Sequence, residues 1–213
     1  FTSGTTGEPK GVMITHENIY SNAVSALSVI KINKTYKMMS IIPLSHTLEQ
    51  IAGFFGVILS GARTTQLKSR RSSEMLKVMQ HEKINCLITV PAFFNLFKNK
   101  IEEKARKTNK IKKLHKMLKI SGKLPIPIRR KIFNKIHKVF GGHLTTVMCG
   151  GASLPIDTQI FWEAIGTQVL QGYGLTETSP ILTLTPKNKR KLGSVGKAIP
   201  GVTLKIDETN EIL

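Results

Sequence analysis

From Val12 to Gln171 the chain alternates two kinds of apolar segment, and this alternation limits the fold more than any other feature. After Thr15, a residue type that caps helix N-termini, Ile19, Ala23, Leu27 and Ile30 recur at helical spacing. Residues 38–42 form a short apolar run closed by Pro43, the pattern of a buried strand. Leu48, Ile51, Ala52, Phe55, Ile58 and Leu59 then make a helical stripe stopped by Gly61. Residues 63–67 read as a short strand, and Ser72 as the cap of a helix carrying Met75, Leu76 and Met79. Residues 86–90 are another buried strand, after which Pro91 opens a helix. The pattern resumes with a strand at 144–149, a helix after Pro155 and a strand at 168–171, and 193–206 reads as short strands and turns. Helix and strand in turn predict an α/β fold, a largely parallel sheet flanked by helices.

The alternation is interrupted by a basic segment. The chain has 213 residues and a net charge of +19, of which residues 98–138 hold sixteen Lys/Arg against Glu102 and Glu103, leaving +5 elsewhere. Leu114 and Leu118, with Ile111 or Met117, make one apolar edge, and Ile128, Ile132, Ile136 and Val139 or Phe140 a second. Leu124-Pro125-Ile126-Pro127 lies between them. Two amphipathic helices joined by a proline turn are the simplest reading. Basic amphipathic helices bind anionic membrane surfaces, and a solvated lysine face has the same composition. Only Phe133 and Phe140 are aromatic here and no nucleic-acid reader motif is present, so no nucleic acid is expected.

Forty per cent of the residues are hydrophobic, enough for one or two domains with a core. Cys86 and Cys149 sit in apolar runs and read as small core residues, neither a disulfide framework nor a metal site, which suits a reducing cytoplasm. The longest nearly apolar run, 51–62, is too short to span a bilayer.

Three stretches carry chemistry. Phe1-Thr2-Ser3-Gly4-Thr5-Thr6-Gly7-Glu8-Pro9-Lys10-Gly11 packs hydroxyls, glycines and one lysine into a short loop. Its glycines permit positive φ, successive N–H groups form an anion-binding concavity, and Lys10 adds a mobile charge, so the loop suits a polyphosphate. It is not the common P-loop, because the fifth residue after Gly4 is Pro9 and Gly11 follows Lys10. Gly150-Gly151-Ala152 follows a buried strand, where α/β proteins bind ligands, and leaves room for a flat ring; a bare strand-to-helix turn would use the same residues. Gln171-Gly172-Tyr173-Gly174-Leu175-Thr176-Glu177 again follows a strand. Tyr173 offers a ring face, Thr176 a hydroxyl, and Glu177 a carboxylate for the Mg²⁺ that accompanies a polyphosphate.

The first and third stretches resemble the signature motifs of the adenylate-forming superfamily, which includes acyl-CoA synthetases, luciferases and the adenylation domains of peptide synthetases. The 193–201 segment, Gly-Ser-Val-Gly-Lys-Ala-Ile-Pro-Gly, looks like a further family motif, mainly structural. The resemblance implies that Thr2, Ser3, Gly4, Thr5, Thr6, Gly7 and Lys10 hold the phosphates of ATP. It implies that Gly150, Gly151, Ala152, Gln171, Gly172, Tyr173 and Gly174 hold adenine, that Thr176 contacts the α-phosphate and that Glu177 binds Mg²⁺. Pro43-Leu44-Ser45-His46-Thr47-Leu48-Glu49-Gln50 resembles the corresponding segment of long-chain fatty acyl-CoA synthetases, which places His46 beside the acyl carboxylate; a polar residue at a helix start is the plainer reading.

The implied reaction joins a fatty acid to ATP, giving acyl-adenylate and pyrophosphate, and then passes the acyl group to coenzyme A. An aryl or short-chain acid, or an acyl carrier protein as acceptor, are the alternatives. A basic nucleic-acid- or membrane-binding module is the alternative of another class. The resemblance further implies that residues 1–213 are part of the large domain, with 98–140 a lysine-rich helical insertion. The family's ribose-binding aspartate, its hinge and the small C-terminal domain with its catalytic lysine would then be absent from this chain. These residues alone are expected to turn over no acid. The expected location is cytoplasmic; for 98–140 a solvated lysine face is the first reading and peripheral contact with an anionic membrane the alternative.

Overall fold

The computed structural model describes residues 2, 10–67, 71–209 and 211–212. Helix α1 (His16–Ile30) begins where the sequence places it. Asn18 N–H donates to Thr15 Oγ1 at 3.1 Å and Thr15 N–H to Asn18 Oδ1 at 3.0 Å, a reciprocal cap. Strand β1 (Lys37–Ser40) stops two residues short of the predicted end. The stripe after Pro43 is helical, but Glu49–Phe55 is wound as a π-helix before α2 (Gly56–Ser60), and Gly61 at φ +66 ends it. Strand β2 (Arg63–Gln66) follows. Helix α3 (Ser72–His81) corrects one expectation: Arg71 holds the cap position, and the Ser72 hydroxyl instead accepts from Lys100 Nζ at 2.7 Å.

Strand β3 (Cys86–Thr89) leads to α4 (Pro91–Lys107), with proline in its first turn. Three shorter helices come next, α5 (Ile111–Ser121), α6 (Ile126–Ile132) and α7 (Asn134–Val139). The second amphipathic helix of the sequence reading is therefore two, broken at Phe133, where φ −99 and ψ 24 leave the helical region. The break lets Phe133 and Phe140 enter the core at 3% and 2% exposure, while Ile128 and Ile132 stay outside at 47% and 40%. The apolar edge drawn through those two isoleucines is thus a solvent face. Strand β4 (Thr146–Cys149), helix α8 (Ile156–Ala164), strand β5 (Gln168–Gly174), a 3₁₀ turn (Thr176–Thr178) and strands β6 (Ile181–Leu184) and β7 (Lys197–Ala198) complete the chain.

The strands form one sheet in the order β2-β1-β3-β4-β5-β6-β7. The first five are mutually parallel, and β5–β6–β7 are antiparallel. The chain moves from β1 outward to β2, then returns past β1 to β3. Right-handed crossovers send helices to opposite faces when the direction of travel reverses. Accordingly α1, the π-helical stretch and α2 pack together, and α4, α5 and α8 pack together.

The core on the second side is aromatic. Phe94 of α4 stacks on Trp162 of α8 with centroids 4.4 Å apart, and Phe140 and Phe161 meet the same indole edge-on at 5.4 and 5.7 Å. Lys98, itself buried, pairs with Asp157 in the first turn of α8, and Thr158 Oγ1 donates to Asn95 Oδ1 at 2.9 Å, fixing α4 against α8. Trp162 is 1% exposed, so Trp162→Ala should lose about 3–5 kcal/mol in denaturant unfolding followed by circular dichroism. Trp162→Phe, which keeps a stacked ring, should lose far less; equal losses would show that the stack does not hold the two helices together.

Candidate functional site

Because β1, β3, β4 and β5 are parallel and in register, their C-terminal ends lie along one edge of the sheet. The reversal between β1 and β3 opens a crevice there, the place where open α/β sheets bind ligands. A cavity of about 920 Å³ occupies this edge. Its lip is largely polar: Ser45, His46 and Thr47 after β1, Gly150 and Gly151 after β4, Tyr173, Thr176 and Glu177 at and beyond the end of β5, and Thr2 and Lys10. Its floor is apolar, formed by Ile30, Ala52, Ile88, Met148, Leu170 and Leu184 among others. A separate apolar void of about 30 Å³ shares Ile30, Ala52, Met148 and Ile181 with that floor.

Sequence-selected residues separated by more than a hundred positions thus meet. Thr2 N–H donates to Lys10 O at 2.9 Å, so the two ends of the phosphate-type loop are tied together; Ser3, Gly4, Thr5, Thr6 and Gly7 lie outside the described residues. Gly150, just after β4, stands beside Gly172 of β5: a Cβ on Gly150 would lie 3.5 Å from Gly172 O. Two selected residues fall elsewhere. Ala152 is exposed and is not on the cavity wall, and Gln171 turns into the core, where its Nε2 donates to Gln159 Oε1 at 3.1 Å.

Tyr173 and its flanking glycines were expected in a loop after a strand, yet they belong to β5. The strand runs on to Gly174 and changes partner between Gln171 and Gly172, from parallel pairing with β4 to antiparallel pairing with β6. Within the new pairing a bulge falls at Tyr173/Gly174, and Gly174 is confined there: a Cβ would lie 1.6 Å from Pro180 O. Strand β6 was missed, although Ile-Leu-Thr-Leu between Pro180 and Pro186 carries the signal of a short strand. Its first residue is clamped by buried Asn22 of α1, which donates to Ile181 O at 2.8 Å and accepts from Ile181 N–H at 3.2 Å.

His46 is exposed at the lip, and its Nδ1 accepts the Leu48 N–H at 3.2 Å. A neutral ring so held carries its proton on Nε2, leaving a donor free for an acceptor in the cavity. Glu177 is the one carboxylate on the described wall, and it is exposed. One carboxylate beside a phosphate-type loop fits Mg²⁺, which takes few protein ligands and keeps waters and phosphate oxygens. Among the described residues no three His, Cys, Asp or Glu groups converge as an all-protein metal cage. Cys86 and Cys149 are free and buried, and burial pushes both thiols up to about 12, so neither offers a thiolate.

A second carboxylate, this one buried, stands behind the lip. Glu49, in the π-helical stretch, is fully buried and accepts from Ser40 Oγ of β1 and, at 2.6 Å, from Gln66 Nε2 of β2. Gly53 makes room for it, since a Cβ there would lie 2.1 Å from Glu49 Oε1. These bonds fasten the helix that begins just after His46 to the two strands beneath it. Sequence reading passed over Glu49, although a lone acid amid an apolar stripe, four residues before a glycine, was visible.

A model of the AMP-binding enzymes matches residues 1–213. The chain belongs to the AMP-binding enzyme family. This AMP-binding chain is 26% identical to the long-chain-fatty-acid–CoA ligase FadD15 of Mycobacterium bovis, over all of the chain and 38% of that relative. It is also 26% identical to the long-chain-fatty-acid–[acyl-carrier-protein] ligase AEE15 of Arabidopsis thaliana, over all of the chain and 35% of that relative. The ATP-bound RpMatB–BxBclM chimera B1 superposes with a TM-score of 0.70 at 26% identity, covering all of the chain and 36% of the chimera. The chain spans about a third of the length of the curated relatives it matches.

Burial raises the Glu49 carboxyl above its ordinary range, partly opposed by the Ser40 and Gln66 hydrogen bonds. A carboxyl that holds its proton more tightly when folded adds stability below its unfolded value and loses it as pH rises through the folded value. Glu49→Gln should therefore gain stability over the parent at neutral pH, and the gain should shrink as pH falls toward 4. Denaturant titrations across that range check it; a difference independent of pH would mean that Glu49 is not a buried charge.

Proposed function

We propose that this chain is the ATP- and acid-binding core of a ligase that activates a fatty acid as its acyl-adenylate and then transfers the acyl group to coenzyme A. The single observation that carries this reading is the cavity's division into a polar lip and an apolar floor. A molecule with a charged head and a hydrocarbon tail fits such a space, and family membership supplies the nucleotide.

In this reading the acid carboxylate oxygen attacks the α-phosphorus of ATP. A carboxyl-to-phosphorus bond forms and pyrophosphate leaves. Catalysis of such a step is mostly positioning and charge neutralisation. Tyr173 and the backbone at Gly150 and Gly172 hold the adenine. Lys10 draws negative charge toward the pyrophosphate side, where Ser3, Gly4, Thr5, Thr6 and Gly7 would add N–H and hydroxyl donors. The Thr176 hydroxyl donates to the α-phosphate, and His46 Nε2–H donates to the acid's carboxylate. Mg²⁺, held at Glu177, would neutralise phosphate charge. The apolar floor takes the acyl chain. An acyl carrier protein in place of coenzyme A is a second reading, favoured by the similarity to AEE15.

ATP–pyrophosphate exchange by the intact protein with a panel of acids tests this reading. Long-chain fatty acids should give the highest exchange; exchange with aryl or short-chain acids alone would reassign the substrate. Glu177→Gln keeps the side-chain shape and removes the charge. Its Mg²⁺ titration should move to higher concentration with folding unchanged, and an identical titration would remove Glu177 from the metal site.

A further inference from the structure

From residue 104 to residue 156 the chain contains fourteen Lys/Arg and no Asp or Glu. Most of these cations, with Lys98 just before them, fall into two groups. The first is occupied. Lys98 pairs with Asp157, Lys107 with Glu103 at 2.6 Å, and Arg106 with Glu102 at 3.6 Å. Arg129 donates to Leu124 O, to Gly122 O at 2.7 Å and to Glu163 O at 2.8 Å, and Arg130 donates to Leu144 O at 2.6 Å and Gly142 O at 2.9 Å. These arginines tie helix ends together. The second group is the nine lysines from 110 to 138. All are exposed, and none forms an ion pair with an acid among the described residues.

The free lysines are interleaved with exposed aliphatic side chains. On α5, Lys112, Lys116 and Lys119 share a face, and Ile120, one turn from Lys116, is 55% exposed. On α6, Ile128 and Ile132 lie one turn apart with Lys131 beside them. Like charges concentrated without counter-charges repel one another, and apolar groups among them gain by leaving water. We propose that the outward face of α5, α6 and α7 docks on an anionic phospholipid surface. The lysine ammonium groups meet the headgroups while their stems and the isoleucines enter the headgroup–acyl boundary. The aromatic residues that could stack on nucleic-acid bases, Phe133 and Phe140, are both buried, so the exposed chemistry favours lipid over RNA. No residue from 98 to 140 lines the cavity, so this docking does not depend on the ligase reading.

Co-sedimentation of the intact protein with phosphatidylcholine vesicles, with and without phosphatidylglycerol, tests the proposal. Binding should require phosphatidylglycerol and weaken as salt is raised. The triple variant Lys112→Gln/Lys116→Gln/Lys119→Gln should lose roughly a hundredfold in vesicle affinity. Ile128→Ser/Ile132→Ser should weaken binding with the salt dependence kept. Both variants should retain parent circular dichroism, since every changed side chain is exposed. Equal binding to both vesicle types, no binding, undiminished binding by the triple variant, or tighter binding to single-stranded RNA than to anionic vesicles would each overturn it.

Discussion

The in-register parallel pairing of β1, β3, β4 and β5 is the constraint on which the rest depends. Parallel strands cannot be joined by tight turns, so each connection must cross the sheet as a helix and deliver its loop to the same edge. Reversal of direction after β2 then opens that edge between β1 and β3. The cavity follows from this topology: residues 43–48, 150–151 and 172–177, far apart in sequence, have no other place to lie. What they carry is polar at the rim because it meets solvent. The floor is apolar because it is the upper surface of the core, reached through Ile88, Met148 and Leu170.

Two departures from regular structure sharpen this frame. The first is the change of strand partner between Gln171 and Gly172, followed by the bulge at Tyr173/Gly174, which adds β6 residues Ile181 and Leu184 to the cavity wall beside the tyrosine. The second is the π-helical stretch with buried Glu49. Its extra winding and the clearance at Gly53 let a carboxylate reach β1 and β2 at once. π-helical turns are rare and gather at functional sites. Here the turn starts three residues after His46, so the buried network holds the helix that follows the lip residue rather than touching the cavity itself.

Much of the fold was legible because most of its signals are local. Thr15, Gly61 and Pro91 mark helix ends by backbone chemistry, and the runs around Met38, Leu87 and Val147 mark strands by burial on both faces. Errors arose where tertiary contact overrode the local signal. Ser72 could cap, but Lys100 takes its hydroxyl. Residues 128–140 have helical spacing throughout, yet burying Phe133 and Phe140 breaks the helix between them and turns the isoleucines outward. Gln171 sits inside a glycine motif, but strand alternation points it to Gln159. At the candidate site the polar rim residues stand out by residue type and Glu49 by its place in an apolar stripe, whereas Asn22 and the apolar floor are defined only by what packs on them.

The central claim is that the sheet-edge cavity takes the nucleotide with its ring beside Tyr173. Photolabelling of the intact protein with an azidoadenine analogue of ATP, followed by peptide mapping, tests it most directly. The account predicts that the label falls on residues 150–151 and 172–184 and is competed by ATP. Label concentrated on α5–α7, or spread along the chain and unaffected by ATP, would contradict it.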